Sequence, residues 1–275
     1  MASIWSYENK RVLVSGGGGA GMGAALVRDL LDLDAEVHVF DLKEPSSEVA
    51  SYTSVDLREP QAIDEAVSDL GKKTGGRIDA LFNCAGLPGP PFSGLDTMLV
   101  NFVAARHLTS RISELMPPRS AVATISSAGG MGWEHMIGAV TELLDSPGYE
   151  EARAWCEAHS DLVGEGYLLS KQVIIIWTMR AAIQYAPKGI RVNCTSPGPT
   201  DTPMMPSFEN YMGKEFMDKF PKPLWGRNST PEEQAHVLAF LNCDAASYVT
   251  GANVYADGGF YGGMTTGSID LSVFG

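Results

Sequence analysis

Short apolar, β-branched runs alternate with longer stretches of helical periodicity from Arg11 almost to the end of the chain. The spacing predicts strands over Val12–Val14, Glu36–Phe40, Thr53–Val55, Ala80–Asn83, Ala121–Ser126, Arg191–Thr195 and Asn253–Tyr255. Between them it predicts helices over Met22–Leu31, Pro60–Leu70, Thr97–Met116, Gly166–Tyr185 and Pro231–Asn242. Such alternation specifies an α/β fold with a mostly parallel, doubly wound sheet of about seven strands, covered on both faces. Right-handed crossovers then gather ligands at the carboxyl ends of the strands. No linker-like break in composition divides the chain, so residues 1–275 read as one domain.

Two segments depart from the alternation. The first, Ala128 to Glu165, reads as an insert of two short helices split at Ser146-Pro147-Gly148. Its Glu and Asp residues form a solvated face, while Trp133, Met136, Ile137, Val140, Leu143 and Leu144 form an apolar stripe to be buried on the body or on a neighbour. The second, Pro203 to Arg227, carries Met204, Met205, Phe208, Tyr211, Met212, Phe216, Met217, Phe220 and Trp225. That soft, aromatic surface fits a lid that excludes water from a bulky apolar substrate, and fits equally an anchor to the core or a subunit contact.

Composition narrows the partners. The 275 residues are 44% hydrophobic, enough for a substantial core, and carry a formal net charge of −13. That acid excess repels phosphate backbones and anionic lipid, so nucleic acid and membrane are not expected as partners. No run approaches the ~20 apolar residues of a membrane helix. Met1–Lys10 lacks the basic end and apolar block of a secretion signal, and a soluble, cytoplasmic protein is expected. Cys84, Cys156, Cys194 and Cys243 lie far apart, and none of the five histidines pairs with another at ligand spacing, so no metal is expected. The tail from Tyr261 to Gly275 gives no clear pattern.

The first strand runs into Ser15-Gly16-Gly17-Gly18-Gly19-Ala20-Gly21-Met22-Gly23 and then a helix. Strand, glycine loop and helix in that order let backbone N–H groups and a positive helix end approach a pyrophosphate. The next strand closes on Val39-Phe40-Asp41, which places a carboxylate where an adenosine ribose presents its hydroxyls and repels a 2′-phosphate. With no cation in the loop and only Lys43 soon after Asp41, the cofactor expected is NAD rather than NADP. Asp56 is a candidate for the adenine amino group, and Asn83 with Ala85-Gly86 for the wall of the cofactor cleft.

Tyr167 and Lys171 stand four apart in a helical segment and so share a face. An ammonium held beside a phenol favours phenolate and lowers a pKa ordinarily near 10, which fits a tyrosine for proton transfer. With the glycine loop, the Asn83-Cys84-Ala85-Gly86 strand end, Asn101, Ser126-Ser127, Pro197-Gly198 with Thr202, and Asp257-Gly258-Gly259, the chain from about Arg11 to Gly259 resembles the short-chain dehydrogenase/reductase family.

The resemblance implies a Rossmann-like fold and a tetrad of Ser127, Tyr167, Lys171 and Asn101. Tyr167 would be the acid/base, and Ser127 would hold the reacting oxygen, with Ser126 as the alternative. Lys171 would bind the nicotinamide ribose and tune Tyr167, and Asn101 would anchor a water in the proton path. The implied cofactor site comprises Gly16, Gly21, Met22, Asp41, Asp56, Leu57, Asn83, Ala85, Gly86, Tyr167, Lys171, Pro197, Gly198, Thr200 and Thr202.

Two features depart from the family pattern. Four residues rather than three separate Gly16 from Gly21, and 40 positions separate Ser127 from Tyr167 where about a dozen are usual. The long interval resembles the bacterial branch of 3α-hydroxysteroid dehydrogenase/carbonyl reductase and coniferyl-alcohol dehydrogenase. The expected activity is NAD-linked interconversion of a secondary alcohol and ketone on a hydrophobic cyclic, steroid-like or terpenoid molecule. The alternatives are oxidation of a primary aryl or allylic alcohol and a non-catalytic dinucleotide sensor. A homodimer or homotetramer is expected, because family members often dimerise through the region the insert interrupts.

Overall fold

The structure is a computed structural model that describes residues 3–270, so Met1, Ala2 and the last five residues of the tail lie outside it. Seven parallel strands form one sheet in the order β3-β2-β1-β4-β5-β6-β7. They are β1 (Arg11–Ser15), β2 (Glu36–Asp41), β3 (Ser51–Ser54), β4 (Ala80–Asn83), β5 (Ala121–Ile125), β6 (Arg191–Pro197) and β7 (Asn253–Ala256). The order reverses between β1 and β4, so their carboxyl ends open a crevice at the switch point. The strands β1, β4 and β5 are buried almost throughout and read as continuous apolar runs, as central parallel strands must. β3 is an edge strand of half-buried polar residues that begins two positions before the sequence places it, because Ser51 and Tyr52 complete the pairing with His38 and Val39.

The helices α1 (Met22–Asp32) and α11 (Pro231–Asn242) pack together on one face. On the other lie α2 (Pro60–Lys73), α3 (Gly94–Met98), α4 (Ala104–Ile112) and α8 (Tyr167–Tyr185). α8 is buried on nearly every side, because the sheet covers one flank and the insert the other. The long helix predicted over Thr97–Met116 is divided. A π-helical turn at Leu99–Val103 separates α3 from α4, and Asn101 sits inside it.

The insert forms α5 (Thr141–Asp145), α6 (Tyr149–Ala158) and α7 (Ser160–Val163), broken at Ser146-Pro147-Gly148 as the sequence indicates. Val140 and Leu143 are fully buried in the chain's own core and Trp133, Met136 and Leu144 pack against it, while Ile137 stays 46% exposed. The stripe is therefore buried on the body. Arg106 fixes it there, its guanidinium donating to the carbonyls of Leu143, Ser146 and Gly148 at 3.0, 3.2 and 2.8 Å. The segment after β6 folds as α9 (Met205–Met212) and α10 (Lys214–Lys219), and α12 (Phe260–Thr265) follows β7. Among the described residues, no helix is long and apolar enough to cross a membrane.

Candidate active site

The glycine loop leaves the central strand at Ser15, which pairs with both Phe40 and Asn83. Gly16 takes φ +79°, and a Cβ there would lie 2.4 Å from the Ala85 nitrogen, so the turn tolerates only glycine. Beyond it, α1 begins at an N-cap, Gly21, without a side-chain cap and with no acid in its first turn. Its first N–H groups and its positive end are left for an anion, and a Cβ at Gly19 or Gly21 would meet only open space. This cradle fits the diphosphate of a dinucleotide.

Asp41 ends β2 beside that loop, with Oδ2 accepting from Gly18 N at 2.8 Å and Oδ1 from Lys43 N at 2.9 Å. Asp56 is held by its neighbour Arg58 through Nε at 3.0 Å and Nη2 at 2.6 Å, and this pairing pulls its carboxyl below the ordinary range. Leu57 is buried, and its carbonyl accepts the Tyr149 hydroxyl of the insert at 2.9 Å. Gly86 lies where a Cβ would stand 3.3 Å from Asn101 Oδ1 and 3.9 Å from Lys171 Nζ, so the β4 end adjoins the tetrad. Asn83 differs from expectation. Its side chain turns into the core and donates to Thr109 and Thr124 at 3.1 and 3.2 Å, because Thr124 is its register partner on β5. It braces the sheet rather than walling the cleft.

Across the crevice, β6 ends at Pro197, and Gly198 leads into Thr200, whose hydroxyl donates to the Gly198 carbonyl at 2.9 Å and pairs with Ser229 at 2.8 Å. Thr202 is half-buried and its carbonyl accepts from Met205 N at 3.0 Å, which starts α9.

The tetrad candidates converge at the start of α8. Lys171 Nζ lies 5.5 Å from the centroid of the Tyr167 ring and donates to the Ile125 carbonyl at 2.9 Å. Ser127 stands beside the Tyr167 phenol, where it favours the ionised form, and its hydroxyl accepts from Gly129 N at 3.0 Å. Ser126 is excluded as its alternative, because its hydroxyl is buried and donates to the Lys171 carbonyl at 2.7 Å. Asn101 grips the Leu87 backbone on both sides, accepting from its N at 2.7 Å and donating to its O at 3.1 Å, and donates to Ser170 at 3.0 Å. Its side chain is thus engaged by the Leu87 backbone and by Ser170.

The electrostatics also differ from the sequence expectation. Burial pushes the Tyr167 phenol above its usual value, with only Ser127 opposing it, and pushes the Lys171 ammonium down to about 8. Loss of water dominates the shifts of both groups, against the attraction that the four-residue spacing implies. Lys171 is buried and Tyr167 half-buried, and each resists its charged form.

Phe208 of α9 meets the Tyr167 ring edge to face, with centroids 4.9 Å apart and planes at 67°. Tyr211 lies beside Glu165, two residues before Tyr167, and that carboxylate pushes its phenol up. Phe216 packs on Phe220, and Trp225 is 70% exposed with Arg227 over its ring. Two participants escape sequence reading. Ser170 links Asn101 to the Tyr167 carbonyl, to which it donates at 2.6 Å, and Gly129 leaves room where a Cβ would touch both Ser127 Oγ and the Tyr167 ring at 3.4 Å. Ser170 adjoins Lys171, which was its one available signal.

Comparison with known proteins agrees with this geometry. A family profile described as short chain dehydrogenase matches residues 10–138, and one described as Enoyl-(Acyl carrier protein) reductase matches 162–261. The 2,5-dichloro-2,5-cyclohexadiene-1,4-diol dehydrogenase of Sphingobium indicum (strain UT26S) is 30% identical over 92% of this chain and 97% of its own. The chain belongs to the short-chain dehydrogenase/reductase family. The coniferyl-alcohol dehydrogenase of Pseudomonas sp. (strain HR199) is a similar relative, 29% identical over 91% of this chain and 96% of its own. The 3-alpha-hydroxysteroid dehydrogenase from Pseudomonas sp. B-0831, solved in complex with NADH, shares the fold with a TM-score of 0.80 and 23% identity, covering 95% of this chain and all of that one. As a short-chain dehydrogenase/reductase the chain is an oxidoreductase, and its long interval between Ser127 and Tyr167 is filled by the helices α5 to α7.

Proposed function

We propose that the chain is an NAD-dependent dehydrogenase that interconverts a secondary hydroxyl and a ketone on a hydrophobic, cyclic molecule. The observation that carries this reading is the Tyr167 phenol, standing beside Ser127, one helical turn from Lys171 and covered by Phe208. Bound NAD supplies the hydride acceptor, and the diphosphate cradle at Gly19, Gly21 and Met22, with Asp41 at the ribose end, supports its placement.

In the oxidation direction Tyr167, as phenolate, takes the carbinol proton, and Ser127 donates to the same oxygen so that charge does not develop on it unaided. Lys171, already strained as a cation, stabilises the phenolate. In reduction the phenol returns the proton. Residues 203–227 act as a lid whose Phe208 excludes water from the phenol.

The apolar substrate class is supported by the lid's aromatic contact and by two similar proteins, one named for a cyclohexadiene diol and one for a hydroxysteroid. A homodimer or homotetramer belongs to the same reading, with its contact away from the stripe that α4 and α8 already cover. The test is NADH formation across steroid, terpene and aryl alcohols. Turnover of cyclic secondary alcohols supports the proposal. Exclusive turnover of primary aryl alcohols replaces it with the coniferyl-type alternative, and tight NAD binding without any turnover replaces it with a sensor.

A further inference from the structure

The insert reaches past the core it covers and touches the loop that follows β3. Arg106 of α4 grips the Gly148 carbonyl at 2.8 Å, which fixes the point where α6 begins. The first residue of α6, Tyr149, is only 4% exposed, and its hydroxyl donates to the Leu57 carbonyl at 2.9 Å. Arg153 stands four positions on and shares that face of the helix. Its Nη2 donates to the next carbonyl, that of Arg58, at 2.7 Å, and its guanidinium lies 5.7 Å from the centroid of the Tyr149 ring. Two side chains one turn apart thus hold two consecutive carbonyls of the loop. The near end of the same loop belongs to the crevice. Val55 N donates to the Asp41 carbonyl at 3.3 Å, which sets Asp56 beside the carboxyl end of β2. Asp56 closes the turn, its carboxylate accepting from Arg58 N at 3.0 Å and its carbonyl from Glu59 N at 3.1 Å.

We infer that Tyr149 and Arg153 of the insert are positioning residues for dinucleotide binding, holding the Asp56 turn through the Leu57 and Arg58 carbonyls in the shape that receives the adenine end. This rests on the NAD reading above. The turn has little else to fix it on that side. The helix it leads into, α2, starts at Glu59 without a side-chain cap, and the tie from Arg58 to Asp96 of α3 spans 3.5 Å between partly exposed side chains. Burial keeps the Tyr149 phenol protonated, and so a donor, well beyond neutral pH. Loss of either donor leaves a carbonyl unpaired and lets the turn sample other shapes, so that adenine must restore the order as it binds. The segment that lengthens the interval between Ser127 and Tyr167 thereby acts on the cofactor as well as on packing.

The test is calorimetric titration of AMP and of NAD into the whole chain, beside amide exchange of the ligand-free protein. Tyr149→Phe keeps the buried ring and removes the donor, and Arg153→Met keeps the stem and removes the guanidinium. Each is expected to weaken AMP by about threefold or more, and the double variant by about tenfold or more, with NAD weakened in proportion and exchange over residues 55–60 accelerated. The KM for a cyclic alcohol at saturating NAD is expected to stay within about twofold of wild type, a split that general loss of structure would not give. Leu143→Ala supplies the comparison, since it removes a fully buried side chain of α5 and neither donor. It is expected to lower the unfolding midpoint and to keep AMP affinity within about twofold of wild type. The inference is overturned if the double variant binds AMP within about twofold of wild type, or if Leu143→Ala weakens AMP as much as the double variant does. Wild type that binds neither AMP nor NAD rejects the NAD reading itself, and the inference falls with it.

Discussion

Replacing Lys171 with Met should make the fold less dependent on alkaline pH while removing turnover. In the folded chain burial lowers this ammonium from 10.5 to about 8. At about 1.4 kcal/mol per pH unit, that displacement is worth about 3 kcal/mol. Because the folded state gives up its proton first, the unfolded state binds more protons between about pH 8 and 10.5, and wild-type stability rises with pH across that window. Below pH 8 the full cost of the buried charge is present. Met carries no such cost but gives up the 2.9 Å bond to the Ile125 carbonyl, a loss of about 1–2 kcal/mol. Lys171→Met should therefore exceed wild type by about 1 kcal/mol at pH 7 and fall below it by about 1.5 kcal/mol near pH 10. Urea unfolding of both proteins from pH 7 to pH 10 measures the swing, in which groups that do not feel the Lys171 charge cancel. Parallel stability profiles would refute the reasoning, since they would mean that Lys171 titrates as an ordinary surface lysine.

Ser127→Ala should lower kcat by about 10²–10³-fold with the unfolding midpoint little changed. Ser126→Ala should instead lose about 1 kcal/mol of stability and keep kcat within about fivefold, and steady-state kinetics beside thermal unfolding separate the two. Phe208→Ala removes the ring that meets Tyr167 and should raise KM for cyclic alcohols by about fivefold or more, with short linear alcohols affected by less than about twofold. Equal effects on both substrate classes, measured by NADH absorbance, would assign Phe208 to packing alone.

Much of the fold is legible from periodicity because central parallel strands and their covering helices carry apolar positions at fixed spacing. β4 and α11 fall where the sequence places them, and α11 declares its start through Thr230, Pro231 and Glu233, a capping box. The π turn around Asn101 was not legible, since one extra residue in a helix leaves the apolar period almost unchanged. Tyr167, Lys171 and Ser127 were recognisable as a set, but the direction in which burial shifts the first two depends on packing from α8, β5 and α9 together. The same limit explains Asn83 and Ser126. Each is a polar residue at a strand end, and only the neighbours brought by the sheet and by α8 decide that both turn inward. The segment 203–227 was visible as an aromatic stretch, whereas the contact of Phe208 with Tyr167 depends on how α9 and α10 fold back.

The account depends most directly on proton transfer at the Tyr167 oxygen, which Tyr167→Phe removes while keeping the ring that Phe208 covers. The measurement is kcat for oxidation of a cyclic secondary alcohol by Tyr167→Phe, taken beside its NAD affinity. The account expects the affinity to stay within about threefold of wild type and kcat to fall by about 10³-fold or more. Oxidation by the variant at a rate close to wild type would contradict it.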